Sequence, residues 1–267
     1  MRAALFNTLV LGLAASTIAA GYFSPEPAAG RGAAEDLLAK SMAAYAALTS
    51  YADSGTATRE TDGQLDVGHF RTYLRRPPLS FYFEWGRRVL ISTKRQADSL
   101  SMPGKRQVFW LLNGDLQIYL KDGSSAQHKT YPGGTSNQPA ALASAKAGTM
   151  ETITLIPSML FRKANLVGAL QEIAEISLAG TEQVGGHSCH KLVGVAQSVY
   201  PSGAVTNVRP ITVWIDTQTL LIRKVFTDTP KGWDLNSVSR FTYTIDPVPN
   251  PKLDDAKFQF AIPEAQQ

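Results

Sequence analysis

From Ile211 to Pro263 the chain is a succession of short β-branched and aromatic runs parted by turn residues, and this stretch restricts the fold more than any other. Ile211-Thr212-Val213-Trp214-Ile215-Asp216 reads as a strand, Thr217 and Gln218 as a polar turn, and residues 220–226 as the returning strand. A loop bearing Gly, Asp and Asn follows, then a third strand around residues 240–244 and a tail over 250–263. Only tight turns are short enough to join neighbours this closely spaced, so the runs form antiparallel hairpins. The stretch is a sheet meander, not a catalytic motif.

The same period of two fills the first half. Residues 51–61 and 66–75 predict a hairpin around Asp62-Gly63, and Pro77-Pro78 then breaks the run. Leu79, Phe81, Phe83 and Trp85 alternate with Ser80, Tyr82 and Glu84, which puts four large apolar groups on one face of a strand. Residues 89–93, 107–112 and 116–120 continue the meander, the last two joined by Asn113-Gly114-Asp115. About six strands with no crossover helix between them predict an antiparallel sheet.

Helical spacing appears twice. Leu37, Leu38, Met42, Tyr45 and Leu48 recur at three- and four-residue intervals, with Glu35 and Asp36 placed in the expected first turn. Residues 139–171 carry a second set, Met150, Ile153, Leu160, Phe161, Leu166, Val167 and Leu170, which Pro157 divides into short helices. Between the sheet and this insertion, 121–136 reads as a polar, Gly-rich loop. Residues 173–178 and 190–197 are expected strands.

The opening residues bear on compartment. Arg2 precedes an apolar run from Ala3 to Ala20, and small residues at Thr17, Ala19 and Ala20 offer a peptidase site, so residues 1–20 read as an export signal cleaved after Ala19 or Ala20. The alternative is an uncleaved anchor, because the run approaches the roughly 20 residues that span a bilayer. Residues 21–32 read as a flexible lead-in, and 33–267 as a single domain. With 26 Lys+Arg against 22 Asp+Glu the net charge is +4, too slight a bias to point to nucleic acid. Cys189 is the single cysteine, so the core and not a disulfide holds the fold.

Three segments resemble the LolA/LolB-type lipoprotein-carrier superfamily, closest to its uncharacterised periplasmic branch. They are residues 37–51, which resemble its first helix and the step into strand one; 213–219 with Ile222-Arg223-Lys224, which resemble its paired late strands; and Asn250, 253–256, Phe258-Gln259-Phe260 and Pro263, which resemble its C-terminal signature. The resemblance implies an α+β fold: a curved, incompletely closed antiparallel half-barrel with an N-terminal helix and a helical lid insertion. It also implies a periplasmic, non-enzymatic binder of a lipid or of a lipoprotein's acyl chain. The chain departs from a typical carrier in its greater length and enlarged middle over 121–158.

On that reading Phe81, Phe83 and Trp85, joined by Trp110 and Trp214, line the pocket, against the alternative of ordinary core packing. Met150, Ile153, Met159, Leu160 and Phe161 supply the lid. Arg75, Arg76, Arg87 and Arg88 form a basic rim that would face lipid phosphates, a membrane surface or an envelope partner, the alternative being solvated turn charges. A sensor or interaction module using the same rim is the rival class. His187, Cys189 and His190 invite a metal reading, but His190 points away from the other two in an extended strand, so no metal or other cofactor is expected. Gly-x-Ser-x-Gly, His-Glu-x-x-His and phosphate-loop motifs do not occur, so no catalytic residue is assigned.

Overall fold

The computed structural model describes residues 31–61, 64–93, 96–101, 104–112, 114–132, 160, 173–199, 205–229 and 239–263. One helix, α1 (Arg31–Ala47), precedes twelve strands. These are β1 (Ser50–Thr61), β2 (Gln64–Arg75), β3 (Ser80–Thr93), β4 (Gln96–Ser101), β5 (Lys105–Leu112), β6 (Asp115–Asp122), β7 (Ser125–Tyr131), β8 (Ile173–Val184), β9 (His187–Val199), β10 (Val205–Asp216), β11 (Ile222–Thr229) and β12 (Ser239–Pro249). All pair antiparallel in one sheet, in the order β7-β6-β5-β3-β2-β1-β12-β11-β10-β9-β8. The long strand β3 forks: residues 82–87 pair with β5, and residues 90–93 pair with β4.

The end strands β7 and β8 do not pair, so the sheet is not closed. Eleven strands about 4.8 Å apart would make a flat face about 50 Å wide, and sheets of this number curl. A helix of 17 residues is about 25 Å long and cannot cover such a face alone. Nevertheless residues from β1 to β3, β5, β6 and β8 to β12 share one buried core with α1. An open antiparallel sheet bent around its own apolar face accounts for this and is consistent with a half-barrel.

Register shows which side chains face that core. Tyr51 stands opposite Leu74, Leu74 opposite Phe81, Thr72 opposite Phe83, and Phe83 opposite Phe109. Across the other wing Ile245, Val225, Val213 and Leu192 continue the same face. A separate cluster of Tyr82, Val108, Trp110 and Tyr119 occupies the opposite face, where the tail covers it. The tail makes a short 3-10 turn at Asp255–Phe258, capped by Asp254, and packs Phe258 and Phe260 on those rings.

Several expectations are corrected. Residues 125–131, read as loop, form the edge strand β7; the side chains there are polar and almost wholly exposed, so no alternation announces a strand. Strand β3 runs unbroken through 89–93, and β4 was not expected at all. Helix α1 starts at Arg31, inside the expected lead-in, so Glu35 and Asp36 fall beyond its first turn. Its buried residues are Ala34, Ser41 and Tyr45, followed by Leu48 just past its end, while Leu37 and Leu38 are only partly buried. The expected helical insertion lies outside the described residues except for Leu160, which is buried in the inner core. Residues 1–30 also lie outside them.

The two ends of the domain are stitched together. Asn250 Oδ1 accepts from the Thr49 amide at 3.0 Å and the Thr49 hydroxyl at 3.1 Å, and the Asn250 amide donates to the Ser50 carbonyl. The start of β1 is thereby held against the end of β12.

Candidate functional site

The inner wall is built on the central strands. Phe81, Phe83 and Trp85 of β3 all face it, as their alternation predicts. Phe83 and Phe109 meet with ring centroids 5.8 Å apart. Two glycines set the height of the wall. A Cβ at Gly55 would collide with the Thr244 carbonyl and the Phe70 ring, and one at Gly68 would collide with Trp85 Nε1. Each ring therefore lies down across a glycine, which keeps aromatic bulk close to the backbone.

Trp110 and Trp214 are not brought into this group. Trp110 pairs with Tyr82, whose side chain is on the opposite face, and it stacks on His128 at 5.7 Å and meets Phe260 at 5.0 Å. Trp214 alternates with the inward Val213 and Ile215. Its Nε1 donates to Glu182 at 2.8 Å, and Lys224 lies 4.7 Å from the ring centroid. Leu160 joins Phe81 and its neighbours in the inner core, whereas Met150, Ile153, Met159 and Phe161 lie outside the described residues.

Two of the four expected rim arginines are engaged within the molecule. Arg76 Nε donates to the Leu48 carbonyl and Nη2 to the Tyr45 carbonyl, both at 2.9 Å, so it caps the end of α1; Nη1 reaches the Leu160 carbonyl at 3.5 Å. Arg75 pairs with Asp255 at 2.6 Å and lies over the Phe258 ring, clamping the tail. The side chains of Arg87 and Arg88 lie outside the described residues.

The wall also holds polar groups that the apolar pattern hides. Tyr51 Oη donates to Asp53 Oδ2 at 2.8 Å, the Tyr45 ring lies 5.8 Å from that of Tyr51, and Tyr45 Oη accepts from the Ile222 amide at 3.1 Å. Burial pushes the Asp53 carboxyl up to about 7, against the pull of Thr72 and Tyr51, and pushes the Tyr45 and Tyr51 phenols well above their usual range. Asp53 shares parity with Tyr51 and Ala57, so the phase of β1 is the signal that places it inside.

At the β10–β11 turn Asp216 is structural. Its Oδ1 accepts from the Gln218 and Thr219 amides at 2.9 and 3.0 Å, and its Oδ2 accepts from the buried Arg223 at 2.6 Å. His187 Nδ1 lies 3.3 Å from the same carboxylate, while the Cys189 thiol is buried and donates to the His187 carbonyl. Burial and Asp216 push that thiol up. Among the described residues no three His, Cys, Asp or Glu are grouped to hold a metal.

No protein-family model matches the chain, and no curated protein matches it in sequence. Among solved structures, the lipoprotein LppX of Mycobacterium tuberculosis is similar at 14% identity and TM-score 0.37, over 80% of this chain and 94% of that one. LprF of Mycobacterium bovis is similar at 12% identity and TM-score 0.40, over 84% and 98%. A chain of the MucA/MucB complex of Pseudomonas aeruginosa is similar at 14% identity and TM-score 0.41, over 86% of this chain and 61% of that one. Likenesses this loose assign no role.

Proposed function

We propose that this is an exported, non-enzymatic protein that binds or carries a hydrophobic ligand, a lipid or the acyl chain of a lipoprotein. The observation that carries the reading is the inner wall: a largely apolar face that runs from Ile118 on β6 to Leu192 on β9, on a sheet left open between β7 and β8. The sequence resemblance supports the same reading. Each CH₂ group moved from water onto such a wall contributes about 0.8 kcal/mol, so a long acyl chain is held without any charge contact.

Phe81, Phe83 and Phe109 are each only 1% exposed. The wall is thus covered in this state, and loading requires side chains packed on it to withdraw. The residues proposed to meet the chain are Phe81, Phe83, Trp85, Phe109 and Leu160. The sensor alternative relied on a free basic rim, and Arg75 and Arg76 are already committed to the tail and the helix end.

Native mass spectrometry of the full chain purified from its own envelope tests the proposal. Co-purifying lipid is the expected result. A clean ligand-free mass, with no uptake of added lipid, would overturn it.

A further inference from the structure

The outer face of the sheet has the make-up of a binding surface. The Tyr73 and Tyr82 rings are 5.9 Å apart, Trp110 stands opposite Tyr82 on the next strand, and Tyr119 belongs to the same cluster. Arginines border these rings. Arg71 lies over Tyr82, and Arg71 and Arg106 share the single carboxylate of Glu84, which leaves the border positive. Tyr, Trp and Arg are the residues that dominate the centres of protein interfaces.

The cover of this face is attached as a bound peptide would be. Past Asn250, which is stapled to Thr49, the tail joins no strand among the described residues. Its backbone hydrogen bonds over 254–259 are internal, from the Lys257 amide to the Asp254 carbonyl and from the Gln259 amide to the Ala256 carbonyl. Side chains do the holding. Asp255 pairs with Arg75 at 2.6 Å, Phe258 lies under the same guanidinium, and Phe260 meets Trp110 and Tyr119 at 5.0 and 5.2 Å with Arg106 over its ring. Asp254, Ala256, Lys257 and Gln259 are exposed between these anchors. A segment held by two rings and one ion pair, with no ladder, opens at lower cost than a strand does.

We infer that this outer face is a peptide-docking surface whose resident occupant is the chain's own tail, and that it takes in exchange an extended segment of a partner protein bearing a carboxylate and, three and five residues later, two aromatic rings. The tail is the template, since Asp255, Phe258 and Phe260 have that spacing and a cation in place of the acid would meet Arg75. The surface lies across the sheet from the inner wall, so it is independent of the hydrophobic-ligand reading.

The test is fluorescence anisotropy of a fluorescein-labelled peptide of residues 250–263 with the full chain. In the parent the tethered tail competes at high effective concentration, so the peptide binds the Phe258→Ala/Phe260→Ala chain at least about 10-fold more tightly than the parent. Asp255→Ala, an exposed change that leaves both rings in place, gives a gain of about 2- to 5-fold and serves alone if circular dichroism shows the double variant unfolded. Arg75→Ala added to either variant removes most of the gain, and a peptide with both phenylalanines changed to Ala does not bind. Binding that is equal in parent and variants, that does not need those phenylalanines, or that is absent from every folded variant overturns the inference.

Discussion

Asp53 ties the inner wall to pH. Burial raises its carboxyl from an ordinary 3.8 to about 7, so the folded chain holds a proton that the unfolded chain has released between those values. Stability therefore falls as pH rises from about 4 to 7 and levels off above, by up to about 4 kcal/mol from this group. Asp216 works the other way: despite burial, the Thr219 amide and Arg223 hold it below the usual carboxylate range, and its contribution is lost as pH falls below about 4. Urea unfolding at pH 4.5 and 7.5 separates the two. The downward slope should vanish in Asp53→Asn, and a slope equal to that of the parent would sink the assignment.

The glycines make a second test at the same scale. Gly68→Ala pushes on the Trp85 indole, which can tilt, and should destabilise by about 1–3 kcal/mol. Gly55→Ala meets the Thr244 carbonyl, which is backbone in the neighbouring strand, and should cost more. Thermal unfolding of the two variants gives the order, and a milder Gly55→Ala would contradict it. Neither glycine is conspicuous in the sequence, because what excludes a side chain is a ring or a carbonyl on the next strand.

The elements are held at their ends by single side chains. Arg76 gives two charge-assisted hydrogen bonds, to the Tyr45 carbonyl in the last turn of α1 and to the Leu48 carbonyl just past it, so Arg76→Ala should lose about 2–3 kcal/mol by denaturant titration, and Arg76→Lys, with a point charge in place of a fork, should recover only part. Phe258→Ala should lose about 3 kcal/mol and raise the exposure of Trp110 to an aqueous quencher, since the tail is the cover of the outer cluster. Unchanged quenching would mean the tail does not seal that face. The alternation of Phe81, Phe83 and Trp85 was legible because one strand's parity is a local property. That Trp110 and Trp214 turn the other way was not, because parity between strands depends on register: Trp110 pairs with Tyr82, and not with Phe83. Edge strands escaped notice for a related reason, since β7 has no buried face to impose a period on its side chains.

Among the described residues, sheet neighbours are close in sequence within β1 to β7, apart from the branch at β4, and within β8 to β12, and the ladder between β1 and β12 joins the wings. The Thr58 hydroxyl reaching the Thr242 carbonyl spans 184 residues. That ladder joins the strands farthest apart in sequence; the β3–β5 pairing, which skips β4, is the other one between non-consecutive strands. The ends of β1 and β12 are already adjacent, through Asn250 and Thr49. A circular permutant, with residues 263 and 31 joined by a linker and new termini placed between β7 and β8, would turn the same sheet into a zigzag broken only by the branch at β4. It should refold faster than the parent in stopped-flow experiments, because closing the largest loop would no longer be required. The first and last strands of the described sheet thus lie side by side at its middle, and both of its edges are strands drawn from the interior of the sequence.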